Sequence, residues 1–485
     1  MLVIIFVFLS FFAAAEPVQI SDIESLPDSV RTPVSTQEAS ADSIGRFVKI
    51  NRIFIIGNRI TRDPIILREL TLKSGDFIYS TDLKNILETD KKKLINTRLF
   101  NTVEIRTLEQ ETDLVDLLID LNERWYTFPS PIFELSDRNF NEWWQNYNHD
   151  FRRVNYGLRL YQYNMRGRNE TLRFIAQFGF SRRFGITYRF PYIDRKQRHG
   201  LAVDFDFIET KNLAYRTADH KLEFLESEDI LRTTRVGGLT YSYRPSFYES
   251  HFVSLFYRST NVRDTIELLN PNYIGKEKDT QQYASLTYQF NSDHRDYVGY
   301  PLHGYYLTTL ITKNGLTSSD DLNKFEVSGT YARFIDLNRG FYLSNYTVGY
   351  WSTPDDLPYM NYGALGYQKQ IIRGYEVYVI EGPEYILNKT TFKKKIFSRA
   401  YNWRAMPVPQ FRHIPLAIYL KTYADIGYVS NYPHYEINSR LTNKLLSGVG
   451  LGIDIVGSYD MVLRFEYTYN AEGNRGFFFN LKKEF

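Results

Sequence analysis

Two short stretches carry the residues of this chain best suited to chemistry: Ile371-Ile372-Arg373-Gly374-Tyr375-Glu376 and Tyr423-Ala424-Asp425-Ile426-Gly427. An arginine and an aspartate can lock together through two parallel N–H···O bonds, a fork that lysine cannot copy. That is recognition chemistry, not bond-making chemistry. The marks of an enzyme are missing: the sequence has no Gly-x-Ser-x-Gly elbow, no phosphate-binding P-loop and no cluster with metal-ligand spacing. Asp293-His294 and Asp296 fall near a strand end, where close-set polar residues make a solvated turn. Gly448, Gly450 and Gly452 alternate within a strand, where small side chains let other groups approach, unlike the run of a nucleotide loop. Asn169, Asn345 and Asn388 open N-x-Thr triplets in or beside strands and point to no function. The expectation is a protein with no catalytic residues, no metal and no cofactor. A lipid hydrolase is the enzymatic alternative.

The elements that must position the arginine and the aspartate read as strands. Around Asp425, Ile418, Leu420 and Thr422 share one face, and Tyr419, Lys421, Tyr423, Asp425 and Gly427 share the other. The same two-residue period places Met461, Leu463, Phe465, Tyr467 and Tyr469 against Val462, Arg464, Glu466 and Thr468, and Leu201, Val203, Phe205 and Phe207 against Ala202, Asp204 and Asp206. About sixteen such segments run from 127–136 to 475–485, with lengths nearer the roughly 9–11 residues of a bilayer strand than the ~5–6 of a soluble sheet. The predicted fold class is β: a 16-stranded antiparallel transmembrane barrel over residues 125–485, preceded by one small α+β domain. Residues 212–230 are assigned to an extracellular loop, because a leading domain and a C-terminus on the same side of the membrane require an even strand count. Ser181-Arg182-Arg183 and Asn338-Arg339-Gly340 read as tight turns. The longest loop, roughly 352–384 between the eleventh and twelfth strands, carries Arg373. If the aliphatic face meets lipid, Asp425 points into the lumen, within reach of an inward-folded loop.

A mean hydropathy of −0.38 excludes a helical membrane protein, while 39 Tyr and 35 Phe suit the aromatic girdles of a barrel. A net charge of +3 gives no reason to expect nucleic acid, and the absence of cysteine removes any disulfide framework. Residues 1–15 read as a secretory signal ending at Ala13-Ala14-Ala15, and 16–46 as a disordered linker rich in Ser, Thr, Asp and Pro. Residues 47–123 read in the order β-α-α-β-β. Pro64 falls in the first turn of the first helix, Ser80 or Thr81 caps the second, and Leu83, Ile86, Leu87, Leu94 and Ile95 form its apolar stripe.

Ile56-Gly57-Asn58, Leu70 followed by Gly75-Asp76, and Leu99-Phe100 leading into Val103 make this leading domain resemble a POTRA module. The Arg373-Gly374-Tyr375 tip and the Tyr423-x-Asp425-x-Gly427 strand, with Phe190-Pro191-Tyr192, make the whole of about 47–485 resemble the BamA-type superfamily of POTRA-barrel outer-membrane proteins. In that family an Arg-Gly-Phe/Tyr tip of the sixth extracellular loop meets a Phe-x-Asp-x-Gly motif on the thirteenth strand; here Tyr423 stands in place of the Phe. The alternating Phe477, Phe479, Leu481 and Phe485 resemble the C-terminal signal by which barrels are themselves recognised for assembly. The resemblance implies a non-enzymatic factor in the outer membrane of a Gram-negative-type bacterium, with its POTRA-like domain in the periplasm. It would insert unfolded β-barrel or surface polypeptides into the membrane, with periplasmic accessory lipoproteins and outer-membrane lipids as further partners. The implied mechanism is that a POTRA edge receives a client strand and the seam between first and last strands opens laterally. The alternative within the resemblance is a dedicated secretion or translocation channel.

Overall fold

A computed structural model of the chain describes residues 47–111, 113–135, 143, 148–276, 278–367, 370–403, 406, 412–459 and 461–483. The segments read as signal and linker, and Phe485, lie outside the described residues. The chain divides into two compact units: one runs to Arg124 and takes in Ala400–Pro415, and the other comprises Trp125–Arg399 and Leu416–Phe485.

The first unit contains β1 (Phe47–Ile56), α1 (Asp63–Leu67), β2 (Phe77–Tyr79), α2 (Ser80–Asn96), β3 (Phe100–Glu111) and β4 (Leu114–Glu123). The sheet order is β2-β1-β4-β3, with β1 parallel to β4 and the other pairs antiparallel. Between the two helices lies a strand, β2, that the expected β-α-α-β-β order lacks. Three residues at a sheet edge are too few to show a period. Helix α2 begins at Ser80 without a side-chain cap from either Ser80 or Thr81, since the cap position is Tyr79. Leu83, Ile86 and Leu87 pack with Val48, Ile50, Leu72, Ile78, Val115 and Leu117 into one core. At the register shift between Ile50 and Ile53, buried Asp116 accepts from Asn51 Nδ2 (2.9 Å) and Arg52 N (3.0 Å), so the bulge leaves these donors satisfied.

The second unit is one antiparallel sheet of sixteen strands: β5 (Thr127–Leu135), β6 (Val154–Met165), β7 (Glu170–Gly179), β8 (Ser181–Phe190), β9 (His199–Thr210), β12 (Arg232–Tyr243), β13 (Glu249–Val262), β14 (Thr280–Asp293), β15 (Gly304–Asn314), β16 (Lys324–Asp336), β17 (Phe341–Thr353), β20 (Glu384–Asn402), β21 (His413–Val429), β22 (Leu446–Val456), β23 (Met461–Asn470) and β24 (Arg475–Lys483). Strands β10 (Asn212–Ala218) and β11 (Lys221–Glu226) form a separate hairpin within the predicted loop, and β18 (Ala364–Leu365) pairs with β19 (Ile380–Glu381) inside the long loop. The even count therefore stands, although the 212–230 loop is itself β-structured. One predicted turn moves: Gly179, at φ +103°, closes β7 and the bend falls at Phe180, so Ser181-Arg182-Arg183 already belongs to β8. Asn338, Arg339 and Gly340 do form a turn, all three at positive φ.

The wall curls on itself. Tyr300, between β14 and β15, lies 4.9 Å ring to ring from Tyr419 of β21 and donates to Asp454 of β22 (2.9 Å). Phe128 of β5 packs edge-on at 5.6 Å against Tyr459, in the turn between β22 and β23, so the two ends of the strand order come round to each other. Among the described residues no ladder joins β5 to β24. From Tyr419 to the end of β21 the alternation is complete: Leu420, Thr422, Ala424, Ile426 and Tyr428 are exposed, and Tyr419, Lys421, Tyr423, Asp425, Gly427 and Val429 are buried. The outward face is mostly apolar, and the inward face holds the charges. Among the described residues no helix is long and apolar enough to cross a membrane.

Candidate functional site in the barrel lumen

The long loop between β17 and β20 folds into the barrel on an apolar anchor. Leu365, Ile372, Tyr375 and Ile380 of the loop are buried against Val348, Tyr385, Leu387, Val429, Leu441 and Leu446. Between these anchors the chain turns at Arg373-Gly374, where Gly374 has φ +94° and an added Cβ would stand 2.9 Å from Asn470 Cβ. Only glycine fits there on both counts. Asn470 Nδ2 donates to Gly374 O (2.7 Å), and Gly374 N donates to Glu376 Oε2 (2.7 Å). Burial pushes the Glu376 carboxyl up to about 7, opposed by that backbone N–H.

Arg373 meets Asp425 as the residue pattern requires. Its Nε donates to Oδ2 at 2.8 Å, its Nη2 to Oδ1, and its backbone N to Oδ2 at 3.0 Å. The same guanidinium lies over the Tyr423 ring (3.7 Å) and reaches Thr391 Oγ1 (3.2 Å) and Glu466 Oε1 (3.4 Å). Asp425 is fully buried. Taking both charges out of water is costly, and the fork is stable only because each oxygen of the carboxylate is matched by a donor.

The register of three strands explains the glycines. Asp425, Gly448 and Asn470 lie in one row across β21, β22 and β23; Tyr423, Gly450 and Thr468 in the next; Lys421, Gly452 and Glu466 in the third. With no side chain in the middle strand, groups two strands apart can touch. Tyr423 OH bonds Thr468 Oγ1 at 2.6 Å, and Lys421 Nζ pairs with Glu466 at 2.9 Å. A Cβ on Gly448 would lie 1.9 Å from Arg373 O, and one on Gly427 would lie 2.4 Å from Ile372 Cδ1. The glycine of the Tyr423-x-Asp425-x-Gly427 motif is thus the floor on which the loop rests. From the third row Lys421 also reaches Asp454 (2.6 Å) in the fourth, the row of Tyr419, Asp454 and Arg464, where Asp454 accepts from Arg464 (3.1 Å). Lys421, Asp454, Arg464, Glu466, Thr468 and Asn470 were not singled out as partners from sequence. Their inward positions were legible in the alternation, but the rows that join them require the register.

Tyr375 is buried in the apolar anchor. Phe477 is exposed on the outer face of β24, Phe479 is half-buried, the backbone of Leu481 continues the strand, and Phe485 lies outside the described residues. Neither Phe477 nor Phe479 is among the partners of Arg373.

The outer part of the loop is latched by the β10–β11 hairpin. His220, at the hairpin tip, is fully buried: its Nε2 accepts from Leu441 N (2.9 Å), its N donates to Asn438 Oδ1 (2.7 Å), and its O accepts from Val379 N (2.8 Å). Glu381 accepts from Thr217 Oγ1 (2.8 Å) and Tyr435 OH (2.6 Å). Burial lowers the His220 ring to about 4, reinforced by nearby Arg440, and raises the Glu381 carboxyl to about 7.

Known proteins resemble this chain in sequence and in fold. A family model described as the Omp85 superfamily domain matches residues 164–485, and one described as a surface antigen variable number repeat, the POTRA family, matches 48–124. A curated relative, the outer membrane protein assembly factor BamA of Nitratidesulfovibrio vulgaris, is 33% identical over 78 residues, which is 16% of this chain and 9% of that one. Among solved structures, BamA from Haemophilus ducreyi lacking POTRA domains 1–3 is 15% identical with TM-score 0.52, covering 90% of this chain and 83% of that one. CdiB from Escherichia coli is 11% identical with TM-score 0.54, covering 90% and 74%. At such identities these structures share the fold.

Proposed function

This chain belongs to the Omp85 superfamily, whose members are outer-membrane proteins with periplasmic POTRA domains, and on that premise we propose that it assembles other proteins into the outer membrane. Its substrates are unfolded β-barrel or surface polypeptides, and it works without nucleotide, metal or covalent chemistry. The observation that carries the reading is the arginine tip seated on the Asp425 wall of an Omp85 barrel. A loop held there by a buried ion pair fixes the β20–β23 side of the wall and leaves the β5 end as the deformable part.

Two features support a weak seam at that end. Pro129 and Pro131 sit in β5 opposite Leu160 and Leu158 of β6, with no register shift, so their hydrogen-less nitrogens fall on the edge away from β6. That edge has fewer donors to offer β24. The sheet of the leading domain has two edges, β2 and β3, with unpaired backbone groups that can take up an extended client strand whatever its sequence. Periplasmic accessory lipoproteins and the surrounding lipids complete the set of partners, with the leading domain in the periplasm.

Depletion of the protein followed by quantitation of the outer-membrane proteome tests this. The expected result is a joint fall of many barrel proteins. Loss of a single secreted protein would replace the reading with a dedicated secretion channel, and phospholipid turnover by purified protein would replace it with a hydrolase.

A further inference from the structure

On the inward faces of β12 to β16, away from the Arg373 site, the wall and the loop residues Met360, Asn361 and Tyr362 line an open cavity of about 720 Å³. That is the size of a small-molecule site. Its charge is unbalanced. Lys324 is neutralised by Glu326 (2.7 Å) and also donates to Asn361 O (3.1 Å). Arg232 donates through Nη1 to Tyr273 OH (3.1 Å), but its buried Nε has no acceptor. Arg258, half-buried on the adjacent strand, makes no ion pair or hydrogen bond among the described residues. Leaving a buried guanidinium N–H without an acceptor is unfavourable, so the site is incomplete as it stands.

The rest of the lining indicates what completes it. Arg232 and Arg258 flank the Thr234–Thr260 pair on neighbouring strands, four residues apart in register, or roughly 13 Å between backbones at ~3.3 Å per residue. Arg258 lies directly opposite Tyr283, and Ser285, Thr287 and Thr312 add hydroxyls beyond it. Tyr283, Phe256 and Tyr362 supply flat faces. Two cations, a row of hydroxyls and several rings describe a receptor for an anion with a hydroxylated body. We propose that this cavity binds a water-soluble anionic sugar, a sugar phosphate or uronate of one or two rings, with Arg258 and Arg232 holding its charged group. The ligand comes from water, since the outward faces of the same strands carry the lipid-facing Leu239, Leu255 and Leu286.

Calorimetric titration of the purified full chain in detergent micelles tests the proposal with glucose 6-phosphate, glucuronate, glucose and inorganic phosphate. Saturable binding of at least one anionic sugar is expected, with glucose and inorganic phosphate each at least tenfold weaker. Arg258→Gln should weaken sugar binding tenfold or more, and Arg339→Gln, in the β16–β17 turn, should leave it unchanged. Retention of the heat-dependent gel shift of folded barrels is the folding control; should Arg258→Gln fail it, Arg232→Gln carries the same expectation. Absence of saturable binding of both anionic sugars, equal affinity for inorganic phosphate, or unaltered binding by the folded arginine variant overturns it.

Discussion

Removing Arg373 and removing Asp425 should not be equivalent, and the difference tests whether the loop is held as described. Arg373→Ala takes away both side-chain donors, Nε and Nη2, from a carboxylate with no exposure to water and leaves it only the backbone N–H of residue 373. Stranding a buried charge in this way costs about 3–5 kcal/mol. Asp425→Ala leaves the guanidinium with Glu466, Thr391 and the Tyr423 ring, so about 1–3 kcal/mol is lost. The double variant should cost little more than the larger single loss, giving a coupling of about 1–3 kcal/mol, the size of the smaller single loss. Because the apolar anchor around Ile372 and Tyr375 remains, the loss should appear as local opening of the loop and not as collapse of the barrel. Hydrogen exchange over residues 370–378, in protein reconstituted in lipid, reads this directly. Arg373→Ala should speed exchange by about a hundredfold or more, since each 1.4 kcal/mol is tenfold. Arg373→Lys should recover little, because a point charge cannot fill both oxygens in the fork geometry. Additive exchange effects in the double variant would refute direct coupling.

Three other perturbations follow from the same geometry. Gly448→Ala should displace the arginine tip, because its Cβ would lie 1.9 Å from Arg373 O, whereas Gly329→Ala, with nothing within 4 Å, should be silent in the same exchange experiment. Lys421→Met leaves buried Asp454 and Glu466 short of a shared cation, and the temperature at which the barrel loses its compact gel mobility should fall. In a Glu381→Gln background, acidification should loosen the hairpin latch. The folded His220 value of about 4 lies below the ordinary 6.5, so its contribution is complete above pH 6.5 and disappears as pH falls through about 4. The loss is up to about 3 kcal/mol at 1.36 kcal/mol per unit, seen as faster exchange over 217–222 after correction for intrinsic rates, and absent when His220 is also replaced by Gln. The Glu381→Gln background is needed because Glu381 acts in the opposite sense. Its value of about 7 lies above the ordinary 4.5, so its contribution is complete below pH 4.5 and is lost as pH rises through about 7.

Asp425 was legible as a lumen-facing group because a strand has a period of two, and Leu420 and Ile426 mark the other face. Arg373 was legible as its partner only through the family resemblance, since nothing local tells a loop arginine where to fold. Glu466 and Lys421 could be placed inward but not together: they are neighbours only across Gly452, and strand register is a long-range property. The three-residue β2 and the Ser181-Arg182-Arg183 segment were misread for the opposite reason. One is too short to show a period, and the other carries polar residues on an inward face that look like a turn.

The glycine rows also make the arginine tip sensitive to how the wall is zipped. A slip of one residue between β21 and β22 would turn every side chain of one strand to the opposite face. Gly448 would no longer stand opposite Asp425, and the exposed Val449 or the half-buried Ser447 would take its row, where even a Cβ clashes with Arg373 O. The tip therefore docks only on a barrel whose thirteenth to fifteenth strands are in register. Docking then returns stabilisation to that register through a charge pair that spans loop and wall. The buried pair, a poor source of net stability in isolation, is well suited to select one strand alignment among near-equivalent ones.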